Sequence, residues 1–310
     1  MKRIKNLVTG GSGFIGSHLC KKLLEKGEEV ICLDNFLTSE EQTIETLITN
    51  FNFKLINQDV TKNINCQVDN IWHLACPASP NDYQRNPIET SKTIFLGTYN
   101  MLELARKYNS KLLLASSSEV YGDAKENPQK ESYTGSVKTT GLRSCYEEGK
   151  RIAETLCADF QRVHSVDIRI ARIFNTYGPN MRVKDGRVIS NFITQALKSE
   201  ALTIYGDGKQ TRSFCYVDDL IEGMIALMES KYQEPINIGN PEELVIKDLA
   251  ILINKLTNNV NGIVFKPLPQ DDPRQRKPSI DVANKLLKWK PKTELINGLK
   301  KTIKWFQNNQ

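Results

Sequence analysis

The chain has no Cys-x-x-Cys pair, no long apolar run, no block of one charge and no internal repeat, and each absence removes a class of protein. Its seven cysteines, at 20, 32, 66, 76, 145, 157 and 215, are odd in number and scattered, which offers neither a disulfide framework nor the spacing of a zinc site. They read as reduced thiols, and no metal is expected. No stretch approaches the uninterrupted apolar length that crosses a bilayer, and a chain 39% hydrophobic and 25% charged is ordinary for a globular protein. The opening residues, Met1 to Gly10, run straight into a strand and a glycine turn without the apolar stretch and cleavage site of a secretory signal, so a cytoplasmic location is expected. The net charge of +6 is spread, with Lys and Arg interleaved among Asp and Glu. Nucleic acid is therefore not indicated, and a small ligand carrying a pyrophosphate accounts for the surplus equally well.

What is present is alternation. Candidate strands at 5–9, 29–34, 53–57, 70–75, 111–116 and 167–173 are separated by helical patterns at 15–26, 40–49, 87–108 and 143–164. That order predicts an α/β fold, a Rossmann-type doubly wound parallel sheet. Beyond Asn175 the alternation loosens into Gly- and Pro-containing loops, a helix near 188–199 and further helices. The expected division is a dinucleotide-binding domain at 1–175 and a smaller C-terminal substrate-binding lobe at 176–310. The apolar run Pro235-Ile236-Asn237-Ile238-Gly239 looks like a strand returning to the main sheet, which would make the boundary discontinuous.

After the first strand comes Gly10-Gly11-Ser12-Gly13-Phe14-Ile15-Gly16, opening a helix with apolar Ile15, Leu19, Leu23 and Leu24. Glycines let the backbone turn tightly and approach a pyrophosphate at the helix N-terminus, where unpaired N–H groups and the dipole favour negative charge. Alone, such a motif is weak. It gains from Asp34 at the end of the next strand, where a carboxylate accepts hydrogen bonds from an adenosine ribose and repels the extra phosphate of NADP, so NAD is favoured. Asp59 and Val60, after the third strand, are candidates for the adenine edge.

Tyr146 and Lys150 are spaced i to i+4 within the helical pattern 143–164, so both side chains lie on one face. A nearby ammonium favours the phenolate, which makes the pair a candidate general base on a hydroxyl. Two other Tyr-x-x-x-Lys pairs, Tyr121/Lys125 and Tyr205/Lys209, are interrupted by turn residues. Upstream, the apolar strand Leu112-Leu113-Leu114 runs out in Ala115-Ser116-Ser117-Ser118-Glu119-Val120-Tyr121-Gly122. Ligands of open α/β sheets bind outside the carboxyl ends of strands, and this end carries hydroxyls and a carboxylate.

The glycine turn, the Ser-Ser-Ser-Glu-Val-Tyr-Gly segment and the Tyr/Lys pair together resemble the extended short-chain dehydrogenase/reductase family in its sugar-nucleotide branch. The blocks beginning at His73 (His-Leu-Ala-Cys-Pro-Ala-Ser-Pro), Arg143 (Arg-Ser-Cys-Tyr-Glu-Glu-Gly-Lys-Arg), Arg172 (Arg-Ile-Phe-Asn-Thr-Tyr-Gly-Pro) and Asp271 (Asp-Asp-Pro-Arg-Gln-Arg) resemble the UDP-glucuronate decarboxylases in particular. The likeness spans essentially the whole chain. It implies that Tyr146 is the base at the carbon 4 hydroxyl, that Lys150 holds the nicotinamide ribose, that Ser117 bonds the reacting oxygen, and that Glu119 sits near carbon 5 and its carboxylate. It implies further cofactor contacts from Asn35, Phe36, Thr38, Leu74, Thr93 and Thr176. Lys92, Ser118, Asn175, Arg187, Arg212 and Arg276 are implied to hold the UDP-sugar acid, and Tyr205 to stack on uracil. For Arg212, phosphate binding stands slightly ahead of proton donation. The implied reaction converts UDP-glucuronate to UDP-xylose with bound NAD, by oxidation at carbon 4, loss of carbon dioxide and return of the hydride. The implied assembly is a homodimer through the helices at 87–108 and 143–164; the apolar Ile152, Leu156, Phe160 and Val163 suit either that interface or the sheet.

The sequence departs from the family pattern at 133–142, where Thr134 stands for the usual tryptophan and Lys138-Thr139 for an Asn-Pro pair, and Ser117 stands for threonine. The rival enzyme is a UDP-glucuronate 4-epimerase, against which Glu119 and the Cys-Pro-Ala-Ser-Pro block argue. A nucleotide-sugar dehydratase would have aspartate where Ser118 stands. A catalytically silent NAD-binding regulator is the alternative of another class, although Ser117, Tyr146 and Lys150 are all present.

Overall fold

The computed structural model describes residues 3–267 and 275–309. The first four residues of the block that begins at Asp271 lie outside them. A seven-stranded parallel sheet organises the chain: β1 Lys5–Thr9, β2 Glu29–Asp34, β3 Phe53–Asn57, β4 Asn70–His73, β5 Lys111–Ser117, β6 Ile168–Ile173 and β7 Ile236–Ile238, in the spatial order β7-β6-β5-β4-β1-β2-β3. The chain order reverses between β1 and β4, which opens a crevice above the carboxyl ends of those strands. β7 belongs to the run expected to return from the C-terminal half, and it pairs Ile236 with Ala171 and Ile238 with Ile173.

Period-two alternation splits the sheet between two cores. Leu112 and Leu114 face one side with Leu7, Ile71 and Ile168, under helices α3 Pro87–Tyr108 and α4 Ser144–His164. Leu113 faces the other with Val8, Cys32 and Trp72, under α1 Phe14–Glu25 and the helix Val217–Glu229. That second core runs on without interruption to Leu299 and Phe306, so the C-terminal elements pack on the sheet as well as on one another. Among the described residues no helix is long and apolar enough to cross a membrane.

Helix α4 is amphipathic in the sense that matters for the site. Tyr146, Lys150, Ala153, Cys157 and Phe160 recur at helical spacing on its buried stripe. Of the four apolar residues with two possible fates, Phe160 joins the core, Leu156 packs partly against it, and Ile152 and Val163 are exposed. Two expectations are adjusted. The helix at 40–49 is a 3-10 turn, Glu41–Ile44, followed by the short helix Glu45–Ile48, because only Ile44 and Leu47 find a core. β4 stops at His73 because the next two amides, of Leu74 and Ala75, donate to the Thr9 hydroxyl at 3.2 Å each and turn the chain across the glycine loop.

Candidate active site

The glycine turn is built where only glycine fits. Gly10 has φ +69°, and a Cβ there would lie 2.9 Å from the Ala75 backbone; a Cβ on Gly16 would lie 2.1 Å from the Gly10 carbonyl. The helix α1 therefore starts directly over the turn. Its N-cap, Gly13, makes no side-chain capping bond, and its first turn carries no acidic residue. Its N-terminal partial charge thus faces the crevice unopposed by protein carboxylates of that turn. Asp34 is pinned at the end of β2: its Oδ2 accepts from the Ser12 amide at 2.9 Å, and its Oδ1 from the Phe36 amide and the Ser39 hydroxyl, each at 2.9 Å. Turn, bare helix end and fixed carboxylate fit the pyrophosphate and adenosine ribose of NAD.

These residues line one end of an open cavity of about 860 Å³. Its walls include Gly10, Gly13, Phe14, Ile15, Gly16, Asp34, Asn35, Thr38, Val60, Leu74, Thr93 and Thr176 at the cofactor end. Ser117, Ser118, Glu119, Tyr146 and Lys150 stand at the middle, and Asn175, Arg187, Tyr205, Arg212 and Arg276 beyond. Three candidates fall outside the walls. Lys92 is one helical position from Thr93, which turns it about 100° away; its side chain is 55% exposed and pairs with Glu89 at 3.0 Å. Phe36 contributes its backbone amide to Asp34, and Asp59 braces Asn35 through a 2.9 Å bond from Asn35 Nδ2 to Asp59 Oδ2.

At the middle, β5 ends in a 3-10 turn, Ser118–Tyr121, capped by Ser117, whose Oγ accepts the Glu119 amide at 3.2 Å. This brings Ser117 and Glu119 to the carboxyl end of β5, facing α4. Lys150 is almost fully buried and donates from Nζ to the Ala115 carbonyl at 2.8 Å; the same Nζ is 5.7 Å from the Tyr146 ring centroid. Its ammonium does not by itself make Tyr146 acidic. Burial pushes the Tyr146 hydroxyl well above its usual range, helped by Cys76 and Glu119, against the Ser117 hydroxyl and Arg187, which pull it down.

Glu119 is the opposite case. Burial would raise it, but Arg276 and Arg143 hold it down to about 2. Arg276 Nη2 lies 3.1 Å from Glu119 Oε2 and Nε 3.3 Å from Oε1, Nη1 donates to the Gly122 carbonyl at 2.6 Å, and Arg143 bonds Glu119 and, at 2.9 Å, Glu147. Arg276, expected at the sugar acid, is thus engaged with Glu119. Arg187 forks onto Asp185, with Nη2 2.8 Å from Oδ2, and Arg182 pairs with Asp82. Arg212 donates from Nη1 to the Thr211 carbonyl at 2.9 Å.

Sequence reasoning missed two residues here. Arg143, three residues before Tyr146, has no role that its place in the sequence block assigns. Tyr83, on the short helix α2 Pro80–Arg85, stacks on Tyr146 with ring centroids 5.1 Å apart and planes at 10°, and its buried hydroxyl has no hydrogen-bond partner among the described residues. The available signal was Ser79-Pro80, an N-cap followed by a first-turn proline, whose Ser79 does cap α2. It predicts a helix but gives no reason to send its tyrosine inward.

The family model described as the NAD dependent epimerase/dehydratase family matches residues 6–239. UDP-glucuronic acid decarboxylase 1 of Arabidopsis thaliana is 51% identical over 307 residues, covering 99% of this chain and 71% of that protein. The protein of the same name from Danio rerio is 52% identical over 305 residues, covering 98% and 72%. Among solved structures, the UDP-glucuronic acid 4-epimerase of Bacillus cereus in complex with UDP-glucuronic acid and NAD superposes with a TM-score of 0.89 at 29% identity, covering 99% of this chain and 100% of that one. The chain belongs to the NAD dependent epimerase/dehydratase family.

Proposed function

We propose that this chain is a UDP-glucuronate decarboxylase that forms UDP-xylose with NAD as a resident cofactor. The observation that carries the reading is Glu119, an ionised carboxylate held between Arg143 and Arg276 beside Tyr146, in a cavity that also carries the features of a dinucleotide site. Identity of 51% to a decarboxylase against 29% to the 4-epimerase points the same way.

In this reading residues 1–175 with β7 hold the cofactor, and most of 176–310 hold the substrate. The glycine turn, Asp34 and Lys150 would hold NAD, which would supply a hydride acceptor and donor at carbon 4 and a positive charge favouring the Tyr146 phenolate. Tyr146 removes the proton of the carbon 4 hydroxyl, with Ser117 bonding the same oxygen. The resulting ketone places the carbon 5 carboxylate β to a carbonyl, so carbon dioxide leaves and the electrons pass into an enolate stabilised by those same donors. A proton from water then adds at carbon 5, and as the hydride returns to carbon 4 Tyr146 gives its proton back to the carbon 4 oxygen. Glu119 and its two arginines order the side of the cavity where the carbon 5 carboxylate is expected. Arg187 and Arg212 hold the diphosphate, with Asn175 beside them and Tyr205, 43% exposed, against the base.

The homodimer is part of the proposal. Phe95 and Tyr99 on α3 and Ile152 and Val163 on α4 are exposed on two helices that pack against each other, an apolar face suited to a second copy. The cytoplasm is also proposed, and the free state of all seven cysteines is consistent with a reducing compartment. Incubation with UDP-glucuronate and NAD, followed by mass spectrometry, tests the reaction. A product lighter by about 44 mass units, with NAD unchanged, is expected from the β-keto acid route. A UDP-galacturonate product of unchanged mass would replace it with epimerisation.

A further inference from the structure

Behind the cavity, reaching it at Ser116, lies a chain of buried and half-buried polar groups. Glu154, one turn beyond Lys150 on α4, accepts Arg172 in a bidentate pair, from Nε at 3.0 Å and Nη2 at 2.7 Å, and also accepts Ser116 Oγ at 2.5 Å. Arg172 Nη1 donates to the Tyr121 hydroxyl at 3.0 Å, and Tyr121 donates to Asn237 Oδ1 at 2.7 Å. Asn237 Nδ2 then donates to two carbonyls, of Gln129 at 3.0 Å and Ser279 at 3.1 Å. Gln129 closes the chain on the residue after Arg276: its amide donates to the Lys277 carbonyl, its Oε1 accepts the Lys277 amide, and its carbonyl accepts the Ser279 amide, each at 2.8 Å.

The polarity of this chain has one solution. A guanidinium only donates, so the Tyr121 oxygen accepts from Arg172 and its hydrogen must point to Asn237. Asn237 therefore presents its oxygen to Tyr121 and its two N–H bonds to the carbonyls. Tyr121, Asn237 and Gln129 are all fully buried, so water offers no substitute partner. One end of the chain lies on the helix of Tyr146 and Lys150, and the other fixes the backbone next to the guanidinium that grips Glu119. Ser213 holds the Arg276 carbonyl from another side, with its Oγ at 3.0 Å, but does not link it to α4.

Resting on the decarboxylase reading, we infer that Tyr121, Asn237 and Gln129 are positioning residues: a relay that seats Arg276 on Glu119 and ties that ion pair to the helix carrying the general base. Removing the Tyr121 hydroxyl leaves Asn237 with an unpaired oxygen, so its amide is held only through its two N–H bonds to the Gln129 and Ser279 carbonyls. The 277–279 backbone keeps its bonds to Gln129 but loses its link through Tyr121 to Arg172 and α4, so Arg276 is seated less firmly on Glu119.

Two variants of the full chain, Tyr121→Phe and Gln129→Met, test this with two readouts. The first is turnover. The relay predicts that kcat falls about tenfold in each while KM changes less than about twofold, and that the double variant is no slower than the slower single, as for residues acting through one unit. The acid limb of the kcat profile should move to higher pH, because Glu119 keeps Arg143 but loses Arg276, with Glu147, Tyr83 and Tyr146 as its remaining titratable neighbours. The second readout needs no turnover. The stability cost of Glu119→Gln, measured by urea denaturation at pH 7, should shrink by about half or more in the Tyr121→Phe background. Wild-type kcat and an undiminished Glu119→Gln cost would overturn the relay. So would losses of kcat that multiply in the double variant, or that track melting temperature alone. A wild type that binds UDP-glucuronate without releasing carbon dioxide would sink the decarboxylase reading, and the denaturation cycle would then decide the relay by itself.

Discussion

Replacing Glu119 by glutamine removes the one charge that two buried guanidiniums share, and the structure sets the size and the pH dependence of the effect. The carboxyl falls from an ordinary 4.5 to about 2. A drop of that size corresponds to about 3 kcal/mol of preference for the charged form in the folded state. Because the folded value lies below the unfolded one, this stability is fully present above pH 4.5 and is lost as pH falls toward 2. The Glu119→Gln variant should therefore cost about 3 kcal/mol at pH 7 and about 2 kcal/mol at pH 3.5, the difference narrowing further with acid. Urea denaturation of both proteins at a series of pH values, analysed with a common m value, measures it. A cost that is flat across this range, or below about 1 kcal/mol at pH 7, would refute the reasoning, since it would mean that solvent screens the carboxylate.

Three further outcomes follow from the site. Asp34→Ala removes the acceptor that positions Ser12, Phe36 and Ser39, so NAD should bind about tenfold or more weakly by titration calorimetry, and the preference for NAD over NADP should shrink; an unchanged preference would place the ribose elsewhere. Gly10→Ala forces a Cβ to 2.9 Å from Ala75 at φ +69°, a strain of about 1–3 kcal/mol, so the melting temperature should fall by several degrees, and an unchanged one would contradict the turn geometry. Tyr83→Phe deletes a buried hydroxyl that has no partner among the described residues, so stability in urea should hold or rise by up to about 1 kcal/mol; a loss greater than that would reveal a bond in the folded protein.

Much of the sheet was legible because local chemistry and tertiary need coincide along it. β1 and β2 span the expected residues because all but their first positions are buried, and the edge strand β3 does so too although only Phe53 is buried in it. The stretch at 40–49 was less legible, because two buried side chains cannot hold a full helix and the pattern alone does not show how little core is on offer. Lys92 shows the same limit at the site. A position carried over by resemblance placed it at the substrate, while the helix rotation that takes Thr93 to the cavity takes Lys92 to solvent.

The sequence by itself determined the glycine turn, the acidic end of β2, the Tyr146/Lys150 face of α4 and the hydroxyl-rich end of β5, because each depends on residues within a few positions of one another. Only the tertiary structure decided what charges those groups carry and whom they meet. Glu119 and Arg276 are separated by 157 positions, and Tyr83 and Tyr146 stack across two helices. Their protonation and partners follow from desolvation and Coulomb terms that act through space, and those terms take their values only once the chain has folded.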